Sequence, residues 1–258
     1  MITHPLNKSA KLFTGKLHNR SLMFLLNTDT KDLRFPPVDL ASPEGLLAIG
    51  GDLRCERLLE AYRHGIFPWY SDDQPILWWS PDPRATLFPK QLHVSHSLSK
   101  TLKQKTFSVT FDTRFRSVIE ACSLPRQHQA QPGTWITPDM IEAYCRLHEM
   151  GFAHSTEVWL NDKLVGGLYG VALGRAYFGE SMFSTASNAS KVGFVYTVRQ
   201  LAAWQFRIID CQVSSEHLTR FGAKDIRRTQ FINELEKALQ FPDKMGPWKL
   251  EDDLIITL

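Results

Sequence analysis

Three strand-like runs follow one another with breaks of only one or two residues, and no other stretch of the chain restricts the fold as strongly. They cover about Ser155–Leu160, Lys163–Leu173 and Arg175–Phe183. The breaks, at Asn161-Asp162 and Gly174-Arg175, are built from residue types that tolerate the tight turn of a hairpin. A link that short cannot carry a strand across to a parallel neighbour, so consecutive runs must pair antiparallel. The expectation is an antiparallel meander.

Helical patterns flank it. Ser95–Lys105, Thr113–Cys122 and Pro138–Met150 precede the meander, with a strand at Phe107–Phe111 between the first two and Gly151 as a helix stop. Asn188–Trp204 follows, with Asn188 as the expected N-cap. A strand over Phe206–Val213 comes next, then helices around Ser214–Phe221 and Thr229–Leu239. Residues 32 to about 92 differ in texture. They are rich in Pro, Gly and Trp, and hold one short helix, Arg54–His64, stopped by Gly65. This predicts an α/β (α+β) protein with an N-terminal extension (1–30), a small loop-rich N-terminal domain (31–92) and a larger domain (93–258).

The element order of the larger domain is similar to that of an acetyltransferase-like (GNAT) domain. Users of acetyl-CoA open the helix after the meander with a glycine-rich loop that closes on pyrophosphate. Here that place reads Ser184-Thr185-Ala186-Ser187-Asn188-Ala189-Ser190-Lys191, without glycine. Asn188, Ser190 and Lys191 at a helix N-terminus still suit one phosphate or a ribose. Acetyl-CoA is disfavoured, and no cofactor is expected.

Composition narrows the function classes. The chain has 258 residues, 43% apolar and 22% charged, which suits a sizeable core. No apolar run approaches the ~20 residues of a membrane span. Met1–Arg20 is polar and mixed rather than leader-like, so a cytoplasmic protein is expected. A formal charge of +3 is too mild to signal nucleic-acid binding by itself. Local basic groups exist at Lys100, Lys103, Lys105, Arg114, Arg116 and Arg126, and at Lys8, Lys11, Lys16 and Arg20. Cys55, Cys122, Cys145 and Cys211 are far apart, and the nine histidines lack an i, i+4 zinc pattern, so no metal is expected.

Two polar features interrupt apolar strands. In Phe206-Arg207-Ile208-Ile209-Asp210-Cys211-Gln212-Val213, simple alternation puts Asp210 and Gln212 on one face. In Ala176–Phe183 it puts Glu180 in line with Ala176, Phe178 and Met182. An acid on an apolar face is costly unless something hydrogen-bonds it. Either both acids pair with arginines or backbone amides for structural reasons, or they mark chemistry.

Nine strings fall in a recurring order: GLLAIGGDL (Gly45–Leu53), AYRHGIFPWY (Ala61–Tyr70), ILWWSPDPRA (Ile76–Ala85), GTWIT (133–137), EAYCRLHEMGFAHS with EVW (Glu142–Trp159), LVGGLYG (Leu164–Gly170), FGESMFS (Phe178–Ser184), NASK (Asn188–Lys191) and IDCQ (Ile209–Gln212). In these the chain resembles the leucyl/phenylalanyl-tRNA–protein transferases. The resemblance implies transfer of Leu or Phe from aminoacyl-tRNA to a protein with N-terminal Arg or Lys, marking it for degradation, without metal or cofactor. It implies Trp69 and Trp135 near the terminal adenosine of the tRNA 3′ end, and Leu168, Met182 and Phe194 around the donor side chain. It also implies that Asp210, Gln212 and Glu180 are catalytic.

Elementary chemistry agrees with such roles. An aminoacyl ester is already activated, and an α-amine with a pKa of about 7.7–8.0 is partly neutral at neutral pH. Positioning alone can then be worth roughly 7–11 kcal/mol. Gln212, a hydrogen-bond acceptor but a poor base, suits orientation of the attacking amine. Asp210 would fix that amide or raise the local negative potential, and Glu180 would bind a cationic substrate group. The chain departs from the family pattern at Thr185, where Arg is common, and at Gly193 and Phe194, where Ala and Leu are usual.

Overall fold

The computed structural model describes residues 24–28, 31–125 and 135–251. Most of the expected N-terminal extension, with Lys8, Lys11, Lys16, Arg20, Arg126 and Gly133-Thr134 of the GTWIT string, lies outside the described residues.

The segment expected to be loop-rich supplies three of the four strands of a small sheet; the fourth, at Phe24–Leu26, lies in the expected N-terminal extension. Strand β1 (Phe24–Leu26) runs parallel to β2 (Leu46–Gly50). Helix α1 (Cys55–Arg63) follows and stops at Gly65, whose φ of 69° favours glycine. Strands β3 (Phe67–Pro68) and β4 (Leu77–Trp79) complete the order β1-β2-β4-β3. The next strand, β5 (Arg84–Leu87), lies within residues 31–92 yet belongs to the large sheet.

The remaining elements are α2 (His96–Lys103), β6 (Ser108–Phe111), α3 (Phe115–Ser123), α4 (Pro138–Glu149), β7 (Ala153–Leu160), β8 (Lys163–Leu173), β9 (Ala176–Ser184), α5 (Ala189–Ala203), β10 (Ile208–Gln212), α6 (Glu216–Arg220), β11 (Lys224–Ile226) and α7 (Arg228–Leu239). The large sheet has the order β11-β5-β10-β9-β8-β7-β6. The meander forms as its turns require: Asn161, Asp162 and Gly174 all adopt positive φ. One apolar cluster joins the small sheet, α1, α3, α4 and α7 to one part of the large sheet. A second joins α2, α5 and α6 to the other.

Every pairing in the large sheet is antiparallel except β9 with β10. That parallel pairing covers Ala176–Phe178 against Ile208–Asp210 and goes no further. Both strands bulge just past it. In β9, Tyr169 and Gly170 of β8 pair with Ser181 and Gly179, which leaves Glu180 as the extra residue. In β10, Thr86 and Ala85 of β5 pair with Asp210 and Gln212, which leaves Cys211 extra. A bulge re-aims the side chains around it and often sits beside a functional site. The two-residue alternation expected for both strands is therefore broken. Met182 packs with the second cluster, away from Ala176 and Phe178 in the first.

Asn188 stands at the N-cap position of α5 but does not cap it with its side chain. Its backbone is left-handed (φ 66°), a conformation Asn tolerates, and its Oδ1 accepts from Lys191 Nζ at 3.2 Å.

Gly170 faces Gly179 where the bulge begins. A Cβ there would lie 2.2 Å from the Phe178 carbonyl oxygen, so backbone must move to admit it. Gly170→Ala is expected to cost about 1–3 kcal/mol, measured by urea unfolding. An unchanged midpoint would show that the strands do not need this close approach.

Candidate active site

The fork between β9 and β10 opens a pocket enclosing about 660 Å³, part of it open to solvent. Leu168 of β8, Met182 of β9 and Phe194 of α5 all line it, so three residues expected around one apolar guest do meet. Ile209, Cys211, Val198 and Leu218 extend the apolar wall. Phe194 is held against Phe221 with ring centroids 4.7 Å apart.

A second space of about 310 Å³, part of it open to solvent, adjoins it, lined by Phe67, Pro68, Trp69, Trp135, Glu180, Gln212 and Val213. Trp135 and Glu180 line both spaces. Trp69 is mostly buried, and its carbonyl accepts a 2.7 Å bond from the Trp79 indole. It lies on the wall of the cavity rather than wholly within the core.

Glu180 is buried at the junction. Tyr62 of α1 donates to Oε1 at 2.7 Å, and Tyr144 of α4 donates to Oε2 at 3.2 Å. The two phenol oxygens also lie within hydrogen-bond reach of each other. Burial pushes the Glu180 carboxyl up to about 7; the two tyrosine bonds and Arg84 oppose the rise, and the Asp210 charge adds to it. Burial also drives both tyrosine hydroxyls well above their ordinary value, so both remain donors.

Asp210 does not point into either cavity. Its carboxylate receives Arg84 Nε and Nη2, each at 2.8 Å, and neither side chain is exposed. The guanidinium lies between the Phe67 and Phe231 rings, with centroids at 4.8 and 4.6 Å. Asp210 Oδ1 also accepts the Gln212 backbone N–H at 2.9 Å. The acid therefore holds Gln212 through its backbone, not through the side-chain amide as expected. That contact pins a residue whose φ is 57°, sparsely populated for a side chain of this size. The Gln212 amide reaches the cavity wall, and its buried Nε2 has no hydrogen-bond partner among the described residues.

Asn188, Ser190 and Lys191 line neither cavity. They sit at the corner between β9 and α5, where the Ser190 N–H donates to Ser184 Oγ at 3.2 Å. Among the described residues no group of three or more His, Cys, Asp and Glu converges as a metal site would require. Nor is any helix there long and apolar enough to cross a membrane.

Sequence reasoning did not single out Tyr62, Tyr144 or Arg84. Each lies inside a recurring string, but nothing in its local pattern distinguishes it from an ordinary core or surface residue. Only the fold brings α1, α4 and β5 onto the fork.

Comparison with known proteins gives a consistent result. Residues 86–236 match a family model described as leucyl/phenylalanyl-tRNA protein transferase, and residues 51–82 match that family's N-terminal domain. A leucyl/phenylalanyl-tRNA–protein transferase of Anaeromyxobacter sp. (strain Fw109-5) is 55% identical over 221 residues, 86% of this chain and 94% of the relative. The protein of that name from Azotobacter vinelandii is 58% identical over 212 residues, 81% of this chain and 93% of its own. Solved structures overlay loosely: L-PGS from Bacillus licheniformis gives a TM-score of 0.37 at 8% identity, over 66% of this chain and 53% of that one.

Proposed function

The chain belongs to the leucyl/phenylalanyl-tRNA–protein transferase family, a family of aminoacyltransferases, and on that premise we propose that it moves Leu or Phe from aminoacyl-tRNA to the N-terminal Arg or Lys of acceptor proteins. The observation that carries this reading is the pair of adjoining spaces sharing Glu180 and Trp135. One is lined mostly by apolar side chains, Leu168, Met182 and Phe194 among them. The other is walled by tryptophans and carries the Gln212 amide.

In this reading the donor side chain enters among Leu168, Met182 and Phe194. The terminal adenosine lies against Trp135 and Trp69, where base stacking is worth about 1–3 kcal/mol. The ester carbon then sits at the junction. Gln212 orients the incoming amine, and Asp210, fixed by Arg84, keeps the Gln212 backbone in place. Glu180 faces the acceptor's ammonium. Asn188, Ser190 and Lys191 meet a phosphate or ribose further along the 3′ strand. The reaction takes place in the cytoplasm and tags its acceptor for degradation.

The test is transfer of labelled Leu or Phe from charged tRNA to an Arg-starting peptide. Wild type should transfer both, and an acetyl-CoA arm should give no product. A pocket matched in size discriminates by about 1–3 kcal/mol per misfit group. Leu168→Phe should therefore lower transfer of Phe about tenfold relative to Leu. Binding of tRNA without transfer would make the protein a binding module and overturn the proposal.

A further inference from the structure

The hydrogen bonds around Glu180 do not balance when its carboxylate is ionised. Glu180 Oε1, the Tyr62 hydroxyl, the Tyr144 hydroxyl and Glu180 Oε2 form a closed loop with three oxygen–oxygen contacts: Tyr62 to Oε1, Tyr144 to Oε2 and Tyr62 to Tyr144. Each phenol carries one proton. An ionised carboxylate brings none, so two protons serve three contacts. One added proton on the carboxyl fills the third: Oε2–H donates to Tyr144, Tyr144 to Tyr62, and Tyr62 to Oε1. The loop is thus built to receive one proton, and it borders both cavities through Glu180.

We propose that Glu180, Tyr62 and Tyr144 together accept the proton of the acceptor's α-ammonium and so supply the neutral amine that attacks the ester. This rests on the transfer reaction proposed above. The ammonium N–H bond breaks, its electron pair stays on nitrogen, and an O–H bond forms at Glu180. The amine then forms the C–N bond to the ester carbonyl. The C–O bond to the ribose breaks, and the amine's second proton goes to the ribose oxygen. Water in the open cavity later removes the proton from Glu180. Gln212, a poor base, orients the amine but does not take this proton.

The surroundings of Glu180 are consistent with a group that titrates near neutrality. Tyr62 faces it from α1, Tyr144 from α4, Tyr169 from β8, Asp210 from β10 and Arg84 from β5. Tyr177 on β9 also feels the Glu180 charge. Arg84 and Asp210 are paired with each other, which leaves Tyr62 and Tyr144 as the proton-bearing groups in contact with Glu180.

General acid–base groups contribute roughly 10²–10⁴-fold. At about pH 7, Glu180→Gln should lower kcat about 100-fold and change the acceptor KM far less. The deficit should shrink toward about pH 9, where an amine of pKa about 7.7–8.0 arrives neutral. Tyr144→Phe removes one of the contacts that the added proton completes, so the acidic limb of kcat/KM should shift while the acceptor's own limb stays put. Infrared titration of the free protein should show a carboxylic-acid band with a midpoint near neutrality that is missing in Glu180→Gln. A raised KM with unchanged kcat, a deficit that does not vary with pH, or absence of that band would overturn the proton role while leaving the transfer function standing. No transfer by wild type would overturn both.

Discussion

Arg84→Met should lower the unfolding free energy by about 3–5 kcal/mol, because it leaves the Asp210 charge buried with a single backbone N–H for company. Both side chains are fully buried, and Arg84 meets both carboxylate oxygens at 2.8 Å. The effect should appear in urea unfolding and as a melting point lower by roughly 6–20 °C. Arg84→Met combined with Asp210→Leu removes both charges and should recover most of the loss. A single variant within about 1 kcal/mol of wild type would show that the pair contributes little to stability.

Gln212→Ala should have the opposite signature. The Gln212 Nε2 makes no hydrogen bond among the described residues, so truncation costs little stability. The backbone contact from Asp210 and the positive φ are available to alanine on the same terms as to glutamine. Transfer should nevertheless fall about 100-fold or more, the loss expected when a reacting group is no longer held in place. Gln212→Asn keeps the amide but shortens its reach, and should fall between the two. Undiminished turnover in Gln212→Ala would remove this side chain from the mechanism.

The contrast between these two residues bears on what the sequence reveals. Turn chemistry and helical periodicity are local, so the meander and the flanking helices could be read to within a few residues. The small sheet could not. Its strands are two to five residues long, carry Pro and Gly, and pair across wide separations, as Phe24–Leu26 does with Ala48–Gly50. Glu180 and Gln212 stood out as polar groups in apolar strands, and both reach a cavity. Asp210 stood out for the same reason yet is neutralised in the interior by Arg84. Alternation also failed at the fork, because two bulges, each one residue long, leave no local signal in the sequence. Tyr62 and Tyr144 are 82 positions apart on separate helices, and only packing brings their hydroxyls to one carboxylate.

The most direct test of the account is a crystal structure with phenylalanyl-adenosine joined by a stable amide in place of the ester. The phenyl ring should lie among Leu168, Met182 and Phe194, with adenine against Trp135 or Trp69 and the amide carbonyl carbon near Gln212 and Glu180. Density for the phenyl ring anywhere other than the fork between β9 and β10 would contradict it.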